Sequence, residues 1–84
     1  MNYQSFKTKL DRLHQWPSLY MFKFIVPVRQ QGEVFALFPK HELKTRASKN
    51  GNYVSVTAQA MMRSSDDVIK IYEEAHAIEG LLAL

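Results

Sequence analysis

Apolar and polar residues alternate between positions 53 and 60, and this period of two predicts a half-buried antiparallel strand. One side of the strand carries Val54, Val56, Ala58 and Ala60, and the other carries Tyr53, Ser55, Thr57 and Gln59. The preceding Asn50-Gly51 pair predicts a type I′ hairpin turn, because Asn tolerates positive φ and Gly has no Cβ to oppose it. The turn joins this strand to a shorter one over residues 43–48.

A second alternating run, residues 19–28, predicts the first strand of the chain. One side of this strand carries Tyr20, Phe22, Phe24 and Val26, and the other carries Met21, Lys23 and Ile25. Both sides are largely apolar, which is typical of a central strand whose second face is partly covered. Lys23 is the exception, and its stem can lie along apolar surface while its ammonium reaches water.

Apolar residues at helical spacing predict three helices. The first covers residues 4–15, with Ser5 as a candidate N-cap, and Trp16-Pro17 ends it. A short helix is predicted over residues 33–38. The last helix opens at Ser64, whose spacing to Asp67 resembles a capping box, and it ends before Gly80 and a short strand over residues 81–84. Its apolar stripe is Val68, Ile71, Tyr72, Ala75 and Ile78.

The order of these elements predicts the fold class. After a helical arm over residues 1–17, the body of residues 18–84 reads β, short α, β, β, α, β. Two β-α-β units joined by a hairpin predict an α+β, ferredoxin-like split βαβ fold, with a four-stranded antiparallel sheet and two helices on one face. Strands one and three are central in that arrangement. We therefore expect one domain over residues 1–84.

Composition excludes several kinds of chemistry. The chain has no cysteine, so disulfide scaffolds, thiolate metal sites and thiol catalysis are excluded. Its three histidines lie in separate segments without ligand spacing, and its three glycines form no phosphate loop. We predict no catalytic residue, no metal and no cofactor. No apolar run is long enough to span a bilayer and no signal-peptide pattern opens the chain, so we expect a cytoplasmic protein without membrane contact.

The charges are unevenly distributed around a formal net charge of +3. Cations cluster in the middle of the chain at Lys40, Lys44, Arg46 and Lys49, and carboxylates cluster near its end at Asp66, Asp67, Glu73, Glu74 and Glu79. Such a division can support self-association or a charged partner, and it is also typical of solvated faces that keep a protein in solution.

The face of the predicted sheet away from the helices is the candidate binding face. We expect it to carry Lys23, Lys44, Arg46, Tyr53 and Ser55, together with Met21, Ile25 and Thr57. RNA-recognition domains share this fold and stack bases on aromatic side chains of the two central strands. One tyrosine and three cations form a sparse platform of that kind. The alternative is that the helical arm or a second subunit covers the apolar residues of this face.

Several segments resemble the YbeD-like family of small bacterial proteins, a domain of unknown function. They are Trp16-Pro17, the strand Tyr20-Met21-Phe22-Lys23-Phe24, the stretch Ser48-Lys49-Asn50-Gly51-Asn52-Tyr53-Val54-Ser55-Val56, the helical Ile71-Tyr72-Glu73, and the ending 78–84. The resemblance covers most of the chain. This sequence departs from the better-known members of the family in the segment between the first two strands. The segment is shorter here, so the first helix of the body is reduced.

The resemblance implies a ferredoxin-like fold, similar to ACT regulatory domains that bind small ligands and pair across sheet edges or helices. Through that similarity it suggests an allosteric or regulatory role, including a link to lipoate metabolism. We therefore expect a non-enzymatic regulatory or protein-interaction module that forms a homodimer or binds another protein. Two alternatives are a single-stranded RNA-binding domain that uses the open sheet face and a small-ligand sensor.

Overall fold

A computed structural model describes residues 3–84, which form a four-stranded antiparallel sheet with helices on one face. The helices are α1 (Gln4–Leu13), α2 (Gln31–Ala36) and α3 (Ser65–His76). The strands are β1 (Ser18–Pro27), β2 (Leu43–Ala47), β3 (Tyr53–Met62) and β4 (Leu82–Ala83). A 3₁₀ turn, Val28–Gln30, leads from β1 into α2. The six-residue α2 agrees with the reduced helix expected between the first two strands.

The strand order β2-β3-β1-β4 is that of the split βαβ fold, so the predicted fold class is confirmed. The two central strands are β1 and β3, as expected. They pair along their whole length, from Ser18 opposite Met62 to Pro27 opposite Tyr53. This long antiparallel ladder fixes which side chains share a face, because residues directly opposite each other point to the same side of a sheet.

The core lies between the sheet and the helices. Phe22, Phe24 and Val26 of β1 are fully buried there, together with Val56 of β3 and Val68 of α3. The alternation of both central strands therefore has the predicted sense, with apolar side chains toward the helices. Helix α3 also buries Ile69, which the predicted stripe leaves out, while Ile71 and Tyr72 are only partly buried.

The N-terminal arm lies in the helical layer and not on the open face of the sheet. Leu10 of α1 is buried in the core, and the ring of Phe6 meets that of Tyr72 edge-on at a centroid distance of 5.5 Å. Trp16 packs partly against the same core and donates a 2.9 Å hydrogen bond from Nε1 to Asp11. Of the two alternatives for covering the open face, the helical arm is therefore wrong, because the apolar stripe of α1 faces α3.

The hairpin between β2 and β3 differs from the predicted type I′ turn. Among residues 3–84, only glycines have positive φ, so Asn50 does not take the conformation that a type I′ turn requires. The amide of Gly51 donates to the carbonyl of Ser48 at 3.0 Å, and Gly51 has φ +76°. The loop is therefore a longer connection built around a turn that starts at Ser48, whose Oγ also accepts from the amide of Tyr53.

The helix ends confirm one predicted cap and correct another. Ser64 is the N-cap of α3, and its hydroxyl accepts from the amide of Asp67 at 3.2 Å. Ser5 is not a cap, because α1 begins one residue earlier, at Gln4, after Tyr3. Helix α1 ends at Leu13, two residues before the predicted end, and His14 after it has an extended backbone.

Candidate functional site

The register of the sheet brings the predicted face residues together. Thr57 of β3 lies between Lys23 of β1 and Lys44 of β2, since it is the cross-strand partner of both. Ser55 is likewise opposite Ile25 on one side and Arg46 on the other. Three cations, one from β1 and two from β2, therefore occupy two neighbouring rows of the open sheet face.

Tyr53 lies in the next row, beside the hairpin. It is 48% exposed, and together with Arg46 and Ser55 it lines a shallow hollow of about 330 Å³. Ile25 and Lys49 border the same hollow. The structure thus places three of the predicted site residues around one depression, in which an apolar floor meets cationic groups.

The sequence interpretation missed four apolar residues on this face. Leu19 and Met61 are opposite each other in the β1–β3 ladder, one row beyond Met21 and Gln59. Leu82 of β4 is opposite Ile25, and the amide of Leu84 donates to the carbonyl of Lys23, which continues the β4 register. The first two could have been found by extending the alternation of their strands. The two C-terminal leucines could not, because a two-residue strand has no alternation to read.

These residues give the open sheet face two distinct sides. An apolar stripe follows β1 and β4 and consists of Leu19, Met21, Ile25, Leu82 and Leu84. A basic margin follows β2 and consists of Lys44 and Arg46, whereas Lys23 lies within the stripe's own strand, β1, and is separated from Lys44 by Thr57 of β3. Glu42 lines a second, smaller hollow of about 90 Å³, beside Met21 and Lys44 at the edge of the face. The arrangement can bury apolar groups and pair with carboxylates along one flank.

A serine-lysine contact between α1 and α3 has a structural role. Lys7 Nζ donates to Ser65 Oγ at 2.9 Å and to Asp66 Oδ1 at 3.0 Å. The hydrogen bond that Lys7 donates to Asp66 raises the pKa of Lys7, whereas a lysine acting as a base needs a lowered pKa. The Ser65 hydroxyl is also buried, so the pair joins two helices and does not present a nucleophile.

A second concavity lies between α1, α3 and β4. This groove of about 500 Å³ is lined by Tyr3, Phe6, Tyr72 and His76 and by the segment 81–83. The phenol oxygens of Tyr20 and Tyr72 are 3.1 Å apart beside it, and burial, followed by this hydrogen bond, raises the pKa of Tyr72. Within residues 3–84, no group of three or more His, Asp or Glu side chains is arranged to hold a metal ion.

No helix in the described part of the chain is long and apolar enough to cross a membrane.

Comparison with known proteins gives a family without an assigned activity. A family model described as "Protein of unknown function (DUF493)" matches residues 11–84. A UPF0250 protein of Shewanella putrefaciens strain CN-32 is 32% identical over 81 residues, which cover 88% of this chain and 92% of the relative. UPF0250 proteins of Shewanella baltica strain OS155 and Shewanella oneidensis strain MR-1 are each 31% identical over the same shares. No solved structure matches the chain significantly.

Proposed function

This chain belongs to the DUF493 family of proteins of unknown function, in agreement with its resemblance to the YbeD-like proteins, and we propose that it is a non-enzymatic regulatory module that binds another protein through its open sheet face. The observation that carries the proposal is the concentration of exposed apolar side chains on that face. The regulatory part rests on the ferredoxin-like fold that ACT-type domains share, which is an analogy of fold.

The apolar side chains are unevenly placed on the surface. Eight large apolar side chains are exposed within residues 3–84, and six of them lie on the open sheet face. They are Leu19, Met21, Tyr53, Met61, Leu82 and Leu84. Single exposed apolar residues are ordinary, but a contiguous group marks an interaction surface. The free energy gained by burying such a group supports a protein partner.

The same composition argues against RNA as the main ligand. Single-stranded RNA is held by bases that stack on aromatic rings, and Tyr53 is the aromatic side chain that β1, β2, β3 and β4 place on this face. The other exposed apolar groups are leucines and methionines, which bury well against a protein but offer no planar ring. RNA therefore remains an alternative outcome of the experiment.

Affinity capture with matched variants tests the proposal. The tagged chain is used to capture proteins from a nuclease-treated lysate of the cells that encode it, in parallel with Leu82→Glu and Leu13→Glu. Leu13 is the control because it is 78% exposed on α1, away from the open sheet face. We expect a protein that the original chain and Leu13→Glu both retain and that Leu82→Glu loses.

The captured protein is then purified and its affinity for all three chains is measured by titration calorimetry. Circular dichroism establishes that each variant is folded. Equal binding of the partner to Leu82→Glu and Leu13→Glu would contradict the proposal, since binding would not then depend on the face. Face-dependent recovery of RNA from an untreated lysate, with no protein, would favour the nucleic-acid alternative.

A further inference from the structure

We infer that the partner presents an acidic amphipathic α-helix of about four turns, laid along the apolar stripe with its carboxylates toward the basic margin. The inference rests on the proposed function and adds the chemistry of the partner. It follows from three properties of the open sheet face, which are its charge, the length of its apolar stripe, and the lack of a matching surface on a second copy.

The charge of the face is strongly one-sided. Lys23, Lys44 and Arg46 project from it, with Glu42 as the acidic residue at its border. The carboxylates of α3 are in the helical layer, across the sheet from these cations. Cations beside an apolar stripe select a partner whose apolar groups are flanked by Asp or Glu, because carboxylates facing them gain attraction and a basic flank is repelled.

The length of the apolar stripe matches a short helix. Leu19 and Ile25 are six residue steps apart on β1, which corresponds to roughly 20 Å at the rise of a strand, and Lys23 is the cation within that length. A helix of about 13 residues has that length. A helix can cover such a face, since helices packed on a sheet are one of the layered arrangements that bury apolar side chains. Leu82 and Leu84 widen the stripe beyond β1, which suits a helix better than a single extended strand.

Residues 3–84 of a second copy offer no such element. Helix α3 carries the acidic residues, but its apolar side chains, including Val68, Ile69 and Ala75, are buried in its own core. Helix α1 shows an exposed Leu13 but carries mainly cations, which the basic margin would repel. Two open sheet faces packed together across a two-fold axis would bring two sets of lysines and arginines into one interface. The partner is therefore a different protein.

Synthetic helices provide the test. One probe is a helix-stabilised 14-residue peptide with leucines at i, i+3, i+4 and i+7 spacing and glutamates along one flank. The matched probe has lysine at every glutamate position. Each is titrated into the ¹⁵N-labelled chain and followed by amide chemical shifts. We expect the acidic peptide to shift the amides of Met21, Ile25 and Leu82 and those of the basic margin, and the basic peptide to shift none of them.

Charge reversal gives the control for specificity. In the double variant Lys44→Glu/Arg46→Glu, the affinity for the acidic peptide falls by about tenfold and the basic peptide gains affinity, because two attractive pairs become repulsive. The matched variant Lys70→Glu changes a cation on α3, away from the face, and keeps the original preference. A preference that stays the same in the double variant would overturn the role of the basic margin.

Two further outcomes would overturn the inference. If a decauridine shifts the same amide resonances more strongly than the acidic peptide does, the open sheet face binds nucleic acid. If the amide shifts of the open sheet face grow with protein concentration when no peptide is present, the face binds a second copy of the chain. If both peptides fail while lysate capture still yields a face-dependent protein, the partner is not an acidic helix but the proposed function stands. If capture does not depend on the face, the proposed function itself fails.

Discussion

Lys7 and Ser65 are joined by a 2.9 Å hydrogen bond that connects the N-terminal arm to the first turn of α3. The Ser65 side chain is 1% exposed, so its hydroxyl oxygen depends on protein groups for its hydrogen bonds. The charged donor comes from a helix that precedes the sheet in the chain and meets α3 only in the folded protein. The contact adds to the packing of Leu10 and Phe6, which places the arm in the helical layer and leaves it off the open sheet face.

Replacing Lys7 tests this connection. In Lys7→Met the buried Ser65 oxygen loses its charged donor while an apolar stem of similar length remains, so we expect unfolding at a lower urea concentration. Lys9→Met is the control, since Lys9 is exposed on the same helix. Equal urea midpoints for the two variants would show that the hydrogen bond does not hold the arm.

The carboxylate of Asp11 makes the stability of the folded protein depend on pH in the acid range. Hydrogen bonds from the Ser65 hydroxyl, and then from the Trp16 indole, hold the pKa of Asp11 below its ordinary value. The pKa of Asp11 is lower in the folded protein than in the unfolded chain. Its carboxylate therefore stabilises the fold at pH values above the unfolded pKa, and this stabilisation is lost as the pH falls through the folded pKa. We expect the stability difference between the original chain and Asp11→Asn to be full at pH 7 and to close below about pH 4.

Urea unfolding of both proteins at a series of pH values measures that difference. Glu79→Gln, which removes a carboxylate from an exposed residue after α3, is the control for the general effect of losing an acid. A difference that persists unchanged down to about pH 2 would mean that Asp11 contributes through packing and not through its charge.

The cap of α3 gives a prediction with a matched serine. Ser64→Ala removes the hydroxyl that accepts from the Asp67 amide and leaves that donor without its partner, at a cost of about 1 kcal/mol in the free energy of unfolding. Ser5→Ala lies inside the first turn of α1, where the serine makes no cap, and should change stability by less than about 0.5 kcal/mol. Urea denaturation measures both, and a similar loss in the two variants would contradict the assignment of the cap.

The two left-handed glycines should respond differently to alanine. Gly51 and Gly80 have φ of +76° and +78°, so a Cβ at either position costs about 1–2 kcal/mol in backbone strain. A Cβ on Gly51 meets nothing within 4 Å, whereas one on Gly80 comes within 2.8 Å of Pro27 Cγ. Pro27 is buried and its ring is rigid, so we expect Gly80→Ala to be more destabilising than Gly51→Ala by about 1 kcal/mol or more. Thermal unfolding that ranks the two variants the other way would refute this.

Neighbouring residues on β1 distinguish the two faces of the sheet. Phe22 is fully buried, and Phe22→Ala should cost about 3–5 kcal/mol through lost contacts and the cavity left behind. Met21 is 55% exposed on the open sheet face, and Met21→Ala should stay within about 0.5 kcal/mol. A large loss of stability in Met21→Ala would mean that the open sheet face contributes to folding. The stability of each variant on that face would then have to be measured before its binding is compared.

The sequence predicts the fold through its alternation, because a period of two assigns every residue of a long strand to one face. Phe22 and Val56 face the helices for this reason, and Lys23 and Ser55 face away from them. Ser64 is also predictable, since a cap is a contact between residues three apart. These features depend on neighbours in the chain, and the physical chemistry of a short segment is enough to define them.

The tertiary structure decides whatever depends on segments that are distant in the chain. The hairpin takes a different turn from that predicted for Asn50-Gly51, since the β2–β3 pairing, which ends with Ala47 opposite Val54, and the Ser48 hydrogen bonds set where the two strands close. The arm packs on α3 through a contact across 58 positions. Leu82 and Leu84 reach the open sheet face only through their register with β1. Met21 and Ile25 are assigned to this face by the alternation of β1, but their union with Leu82 and Leu84 into one apolar stripe depends on strand pairing, which no local pattern encodes.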